Sequence, residues 1–359
     1  MKQSLKLASA LALSVVVLTS AACSRNPDAG TDPTSGDGSG TAAVADCTTP
    51  IKTFKLAFNQ TEEHPQFQAA LWFGEQLLEA TDGCYGIEGF ANETLGAQAA
   101  VLNNVSDGSV DMAYIGGPVM ETMNPDTVVF NLPYVFDSKE AQDAVFSDEA
   151  VIGDLKHSME GSKDITVLSL LYSGTRNVYA TKAVRSPADM TGMKLRVQQS
   201  ESQVAMIDNM GGIATPMAQG EVYSALQTGT LDGAENNETV YQSMKHDEVA
   251  PFYSYTKHLM IPDYLIMNTT ALDGMGDEYK QALLDLVPAT TKMANDGFVE
   301  YVDESIEISK TAGATFVEDV DTAAFKASVA PLIEQYVTND VTQALYDAVQ
   351  EANAAHPAS

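Results

Sequence analysis

From residue 51 onward, this sequence alternates between short strand-like runs and segments with helical spacing of apolar residues. Lysine and threonine alternate with apolar residues over 51–58, which is typical of a strand, and a helix-like segment follows over 64–80. The same patterns predict strands at 85–90, 110–115, 165–172, 194–198 and 259–268, and helices at 97–105, 220–227, 277–286 and 332–349. This alternation predicts an α/β fold with largely parallel sheets.

No clear linker divides the region after residue 47 into two contiguous halves. If the fold has two lobes, the chain must therefore pass between them more than once. Such a chain forms a hinged clamp, in which the ligand site lies in the cleft between the lobes.

The amino terminus has the pattern of an export signal. Lys2 and Lys6 precede an uncharged, mostly apolar run over 7–19, which is too short for a membrane span and typical of a signal peptide. Small residues then lead to Cys23, which fits either lipoprotein processing at that cysteine or ordinary cleavage near Ala22. We expect residues 1–22 to be a signal peptide and favour lipidation of Cys23.

The segment that follows is rich in Gly, Ser, Thr, Asp, Ala and Pro. It buries too little apolar surface to offset the entropy of ordering it, so residues 23–46 are predicted to be a flexible tether. No later apolar run is long enough to span a bilayer. The sequence thus predicts an exported domain in the periplasm or on the outer face of the cell membrane, held there by a lipid anchor.

Two further cysteines, Cys47 and Cys84, each precede a predicted strand. An exported chain lies in a compartment where disulfides form, and neighbouring strand starts place two cysteines within bridging distance. We therefore predict a disulfide between Cys47 and Cys84, and the alternative is two unpaired thiols.

The charge and the missing motifs argue against several functional classes. With a formal net charge of −30, the chain lacks the basic face that nucleic acids and anionic membranes require. The nucleophile-elbow, paired-histidine zinc, phosphate-loop and dinucleotide motifs are all missing, and the five histidines show no metal-ligand spacing. We predict no enzyme activity, no metal and no cofactor, with an extracellular enzyme acting on acidic saccharides as an alternative.

Positive residues are scarce in so acidic a chain, which makes Arg176 and Arg196 informative. Arg176 follows the strand predicted to end at residue 172, and Arg196 lies inside the strand predicted over 194–198. A buried arginine is costly unless it meets an anion, and a guanidinium grips a carboxylate with two parallel hydrogen bonds. The spacing leaves open whether that anion is a ligand or an internal Asp or Glu.

The run LDGAENN over residues 231–237 places a carboxylate and two amides after a Gly-containing turn. These groups suit hydrogen bonds to hydroxyls and carboxylates. The structural alternative is a capped turn that leads into a helix.

Several longer motifs follow one another along the chain: LG at 95–96, LPYVF at 132–136, SGTR at 173–176, PADMTGMKLRV at 187–197, TPM at 215–217, EVYSALQTG at 221–229 and DGAEN at 232–236. Together they resemble the substrate-binding subunits of tripartite ATP-independent periplasmic (TRAP) transporters. The resemblance spans roughly residues 51–286, and its central motifs are long and specific.

This resemblance implies a two-lobed clamp of the periplasmic-binding-protein type, with a long C-terminal helix that spans both lobes. Lobe I would comprise residues 47–172 plus about 262–301, and lobe II residues 173–261 plus about 302–359. The implied partners are a small organic acid as ligand and the small and large membrane permease subunits. A sensory role toward a receptor stays open.

By matching position, the resemblance assigns Arg196 the principal bidentate contact to a ligand carboxylate. Arg176 and Asn236 would reach the ligand from lobe II. Asn59, at the end of the first strand, would contribute from lobe I.

Five other residues bear on the identity of the ligand. Gln98 and the backbone near Gly117 would line the pocket, and Gln98 stands where many relatives have an acidic residue. Gln219 stands where sialic-acid binders have an aromatic residue, which argues against sialic acid. Glu62 and His64 would offer polar contacts for ring hydroxyls, as in the sugar-acid-binding relatives. We therefore favour a hexuronate or related sugar acid, with a C4-dicarboxylate as the alternative.

Overall fold

The computed structural model describes residue 47 and residues 49–358. The predicted signal peptide, Cys23 and the predicted tether lie in residues 1–46, outside the described part of the chain. Within that part, no helix combines the length and the apolar character that crossing a bilayer requires.

The described residues contain eleven β-strands in two sheets. The strands are β1 Lys52–Ala57, β2 Tyr85–Phe90, β3 Met112–Gly116, β4 Ile165–Tyr172, β5 Arg176–Ala180, β6 Lys194–Val197, β7 Ile213–Pro216, β8 Gly233–Asn236, β9 Phe252–Leu259, β10 Pro262–Asn268 and β11 Thr315–Val317. The first sheet has the order β2-β1-β3-β10-β4, and the second has the order β11-β9-β5-β8-β6-β7.

Helices surround both sheets. The α-helices of the described residues are α1 Pro65–Ala80, α2 Gln98–Ser106, α3 Gly117–Glu121, α4 Lys139–Ser147, α5 Glu149–His157, α6 Glu160–Lys163, α7 Glu201–Asn209, α8 Val222–Gln227, α9 Glu238–Ser243, α10 Thr269–Asp273, α11 Asp277–Ala312, α12 Thr322–Val329, α13 Pro331–Tyr336 and α14 Asp340–Ala355. Short 3₁₀ segments lie at Pro125–Asn131, Pro187–Met190, Gln219–Glu221 and His246–Glu248.

Both sheets are mixed, and across the two together parallel neighbours outnumber antiparallel ones by five to four. In the first sheet β1 runs parallel to β2 and β3, while β10 runs antiparallel to β3 and β4. In the second sheet β6 runs parallel to β7 and β8, and β11 to β9, while β5 runs antiparallel to β8 and β9. The predicted α/β fold with mostly parallel sheets is confirmed.

The chain passes between the two sheets more than once, as a hinged clamp requires. It crosses from β4 to β5, returns from β9 to β10, and crosses again through α11 to reach β11. Helix α11 packs against α1 and β4 on the side of the first sheet and against α9 on the side of the second. It is therefore the long helix that the resemblance implies, although three more helices follow it along the chain.

The last part of the chain, which the resemblance assigns to lobe II, ends in two helices. Two helices occupy the run predicted as helical over 332–349, because Asn339 caps α14 by accepting a hydrogen bond from the backbone N–H of Thr342 at 2.8 Å. Helix α14 packs against α4, and Nδ2 of Asn353 donates to the carbonyl oxygen of Val135 at 2.8 Å. The end of the chain thus contacts helices beside the first sheet, and the lobe boundaries stay a prediction.

A disulfide joins Cys47 to Cys84, with the two Cα atoms 5.0 Å apart. Strands β1 and β2 are parallel neighbours, and Lys52 pairs with Tyr85 near their starts. The two cysteines precede these starts and therefore lie side by side, which confirms the predicted bridge.

Candidate ligand-binding site

The ends of several strands from both sheets meet at one cleft. Asn59 lies just beyond β1, and β3 ends at Gly116. In the second sheet β6 ends at Val197 and β8 at Asn236, while β5 runs the other way and begins at the same edge with Arg176. Ligands of α/β folds bind beyond the carboxyl ends of parallel strands, so chain topology alone favours this edge.

Three small adjoining cavities lie in the cleft. Asn59 and Gln98 line all three of them. Arg196 lines the first cavity, and Arg176 and Asn236 line the third. Six residues singled out from the sequence therefore come together here: Asn59, Gln98, Arg176, Arg196, Gln219 and Asn236.

Arg196 lies in the interior strand β6 and is 2% exposed. Its Nε donates to the carbonyl oxygen of Met217 at 2.9 Å, but its buried Nη1 has no hydrogen-bond partner in the described part of the chain. Burial lowers the pKa of Arg196, with the nearby carboxylate of Glu235 acting in the opposite direction. A buried guanidinium with an unused donor is costly, so this side chain is suited to receive an anion.

Arg176 meets an internal anion. Its Nε and Nη2 donate to the two carboxylate oxygens of Glu235 at 2.6 and 2.7 Å, and its Nη1 donates to Oδ1 of Asn236 at 2.7 Å. Arg176 also opens strand β5, after the strand that ends at residue 172 as predicted. The spacing left open whether each arginine meets an internal acid or a ligand. Arg176 forms an internal salt bridge, whereas Arg196 keeps a donor without a partner among the described residues.

Glu235 carries the charge that neutralises Arg176. Burial alone would raise the pKa of Glu235, but the charge and hydrogen bonds of Arg176, together with the nearby ring of His258, outweigh it and lower the pKa to about 2. Nε2 of His258 lies 3.5 Å from Oε2 of Glu235. The carboxylate therefore stays ionised, and Glu235 is the internal acid that the sequence left open as a partner for a buried arginine.

Several buried polar atoms point into the cleft without a partner among the described residues. They are Oε1 of Gln60, Nη1 of Arg196, Oε1 of Gln198 and Nε2 of Gln219. Buried polar groups are normally hydrogen-bonded, so their convergence at one place points to a polar ligand. Sequence reasoning missed Gln60 and Gln198, because a lone glutamine after a strand carries no distinctive pattern.

Three predicted residues do not line these cavities. Nδ1 of His64 caps α1 by accepting from the backbone N–H of Gln66 at 3.2 Å, and burial lowers the pKa of His64 to about 3. The backbone carbonyl of Glu62 accepts from Gln68, and its side chain is exposed. Gly117 begins α3, where a Cβ atom would lie 2.1 Å from Oδ1 of Asn131, so its role is close packing.

A larger cavity lies between α4, α5, β4 and α11, away from the cleft. The lysines that line it, Lys139, Lys156 and Lys292, are each paired with a neighbouring acidic side chain. In the described part of the chain, no group of three or more His, Cys, Asp or Glu side chains is arranged to hold a metal ion. The cleft is thus the place where an unpaired buried cation and unpartnered amides meet.

Comparisons with known proteins agree with this geometry. A solute-binding protein from Chromohalobacter salexigens is 34% identical over 275 residues, which cover 76% of this chain and 81% of that protein. A TRAP periplasmic solute-binding protein from Anaerococcus prevotii, solved with bound D-glucuronate, superposes with a TM-score of 0.83 at 34% identity over 86% of this chain and 100% of its own. A relative from Xanthobacter autotrophicus, solved with β-D-galacturonate, gives 0.80 at 30% identity over 84% and 99%.

The family model described as bacterial extracellular solute-binding protein, family 7, matches residues 56–340. These residues contain both sheets, apart from the first part of β1, and every residue that lines the cleft. The two-lobed fold predicted from the sequence is the fold of the solved relatives. The chain belongs to family 7 of the bacterial extracellular solute-binding proteins, the substrate-binding subunits of TRAP transporters.

Proposed function

We propose that the protein captures a hexuronate, or a closely related sugar acid, for the membrane permease of a TRAP transporter. The observation that carries the proposal is the buried guanidinium of Arg196, whose Nη1 has no partner among the described residues and which lines the cleft. A ligand carboxylate supplies the missing acceptor and the missing charge, so that binding offsets the cost of burying this side chain.

The other polar side chains of the cleft are suited to bind the hydroxyl groups of a ligand. Side-chain amides surround the cavities, at Asn59, Gln60, Gln98, Gln198 and Gln219. An amide both donates and accepts hydrogen bonds, as a hydroxyl does. A hexuronate combines one carboxylate with several hydroxyls and matches one unpaired guanidinium among amides. The solved relatives with bound glucuronate and galacturonate support the same ligand class.

The cleft between the two sheets supports capture by closure of the lobes. We infer that the closed protein retains its ligand without turnover and delivers it to a small and a large membrane subunit, because the family consists of solute-binding proteins. An export signal and lipidation at Cys23 would hold it on the outer face of the cell membrane.

A thermal-shift screen tests the ligand class. A ligand that binds only the folded protein raises the free energy of unfolding by about 2.7 kcal/mol at one hundred times its dissociation constant. We expect D-glucuronate or D-galacturonate to raise the melting temperature, and D-glucose, which lacks the carboxylate, to leave it unchanged. A shift with succinate and none with any sugar acid would favour the C4-dicarboxylate alternative.

The enzyme alternative makes a different prediction. An enzyme acting on acidic saccharides would convert a uronate oligosaccharide over time, whereas a binding protein returns its ligand chemically intact. Chromatography of the ligand after prolonged incubation distinguishes the two, and we expect no product.

A further inference from the structure

Glu93 and Gly220 face each other across the mouth of the cleft. Glu93 lies in the loop after β2, beside the first sheet, and Gly220 lies in the 3₁₀ segment before α8, beside the second. The backbone N–H of Gly220 donates to Oε2 of Glu93 at 3.2 Å. This mouth contact joins the two sides of the cleft directly.

The local backbone is built for this approach. Asn92 and Glu93 both adopt the left-handed conformation, with φ of 57° and 54°, which side-chain-bearing residues rarely adopt. A Cβ atom on Gly220 would lie 2.7 Å from Oε2 of Glu93, so any larger residue displaces the carboxylate. Strained backbone concentrates at functional sites, which marks Glu93 as more than a surface residue.

Glu93 also lines the same cavity as Arg196. Burial raises the pKa of Glu93, while the hydrogen bond from Gly220 and the charge of Arg196 favour its ionised form. The cavity therefore holds one cation and one anion, because the charge of Arg176 is already matched by Glu235. One ligand carboxylate pairs with Arg196, and a second carboxylate in this cavity would meet Glu93 with no cation left to compensate it.

We propose that Glu93 sets the charge selectivity of the site, admitting acids with a single carboxylate and rejecting ligands that carry a second one. This inference rests on the proposed function and narrows it, because hexuronates and aldonates satisfy the rule while C4-dicarboxylates and aldarates do not. Repulsion between like charges is a direct means of rejecting a near relative of the correct ligand.

The test compares D-glucuronate with D-glucarate, which has the same six-carbon chain with a carboxylate at both ends. Glu93→Gln removes the charge and keeps an oxygen that accepts from Gly220. We expect the ratio of the glucarate to the glucuronate dissociation constant to fall about tenfold or more in this variant. Glu88→Gln is the matched control: it removes an exposed carboxylate on β2 from a residue that does not line the cavities, and the ratio should not change.

A second variant keeps the proposal testable if Glu93→Gln folds poorly. Glu93→Gly also removes the carboxylate and suits the left-handed backbone at this position, so the same ratio should fall as in Glu93→Gln. If the wild-type protein binds glucuronate but Glu93→Gln leaves the ratio of the two dissociation constants unchanged, the role of Glu93 is contradicted and the proposed function stands. A wild-type protein that binds no sugar acid overturns the proposed function, and with it this refinement.

Discussion

Arg176 and Glu235 form a bidentate ion pair in the interior of the second sheet, with exposed side-chain fractions of 2% and 0%. They lie on neighbouring antiparallel strands, β5 and β8. The pair leaves Arg196, on the other neighbour of β8, as the cation with an unpartnered donor in the described cleft. One arginine thus contributes to the framework of the site, and the other offers its charge to a ligand.

Breaking this pair from one side should destabilise the fold. Glu235→Gln leaves the buried charge of Arg176 without its anion, and such a loss costs about 3–5 kcal/mol in the free energy of unfolding. Urea denaturation measures the change. Asp296→Asn serves as the control, because its exposed pair with Lys292 contributes only about 0–1 kcal/mol. Equal effects of the two variants would contradict the framework role of Glu235.

The Cys47–Cys84 bridge should contribute strongly to stability. It closes a loop with a sequence separation of 37 residues, and the loop-entropy relation gives about 3–4 kcal/mol for such a loop. We expect a reductant to lower the urea midpoint of the wild-type protein by a corresponding amount. The double variant Cys47→Ser/Cys84→Ser should be equally destabilised and should not respond to the reductant. A wild-type midpoint that is insensitive to full reduction would rule out this contribution.

Gly174 lies in the first crossover between the sheets with φ of +76°. A Cβ atom there would lie 2.8 Å from the ring of Phe298 on α11, so Gly174→Ala meets both backbone strain and a steric clash. We expect a loss of about 1–3 kcal/mol in unfolding free energy. Gly161→Ala is the matched control, because no atom lies within 4 Å of the added methyl group and its φ is ordinary. A loss of the same size in both variants would contradict the argument.

His64 should make the fold less stable in mild acid. Burial lowers its pKa from 6.5 to about 3, so between these values the unfolded chain binds a proton that the folded protein does not. Stability therefore falls as the pH drops below 6.5, by about 1.4 kcal/mol per unit. His64→Asn keeps an acceptor for the α1 cap but does not titrate.

Urea denaturation at pH 7.5 and pH 5.0 measures this effect of His64. Between the two pH values, the wild-type protein should lose about 2 kcal/mol more than the variant. Other titrating groups are common to both proteins and cancel in the comparison. Identical losses would show that His64 is accessible to protons in the folded state.

The elements with a clear apolar pattern could be predicted from the sequence. Strands β2 and β4 begin and end at the predicted residues, and Arg196 lies inside a strand as its apolar neighbours indicate. Strands β5 and β8 were not predicted, because RNVYA and GAEN place charged and amide groups in a central position. Those groups are compatible with a sheet interior only because Arg176 and Glu235 pair across it, and periodicity within one strand does not reveal a partner on another.

Local sequence patterns also do not reveal which residues of the binding site meet across the cleft. The resemblance indicated Arg196, Arg176 and Asn236, which the structure brings to one cleft. Glu93 comes from a loop on the opposite side, and its approach to Gly220 depends on how the two sides of the cleft meet. A single sequence does not encode such a contact in any local pattern.

Calorimetric titration of the wild-type protein and Arg196→Met with D-glucuronate tests the central claim most directly. We expect stoichiometric binding to the wild-type protein and a loss of about 2–5 kcal/mol in the variant, which is roughly 30-fold or more in affinity. Arg185→Met removes an exposed arginine that pairs with Asp319 outside the cleft, and it should bind like the wild type. Wild-type affinity in a folded Arg196→Met protein would contradict the account.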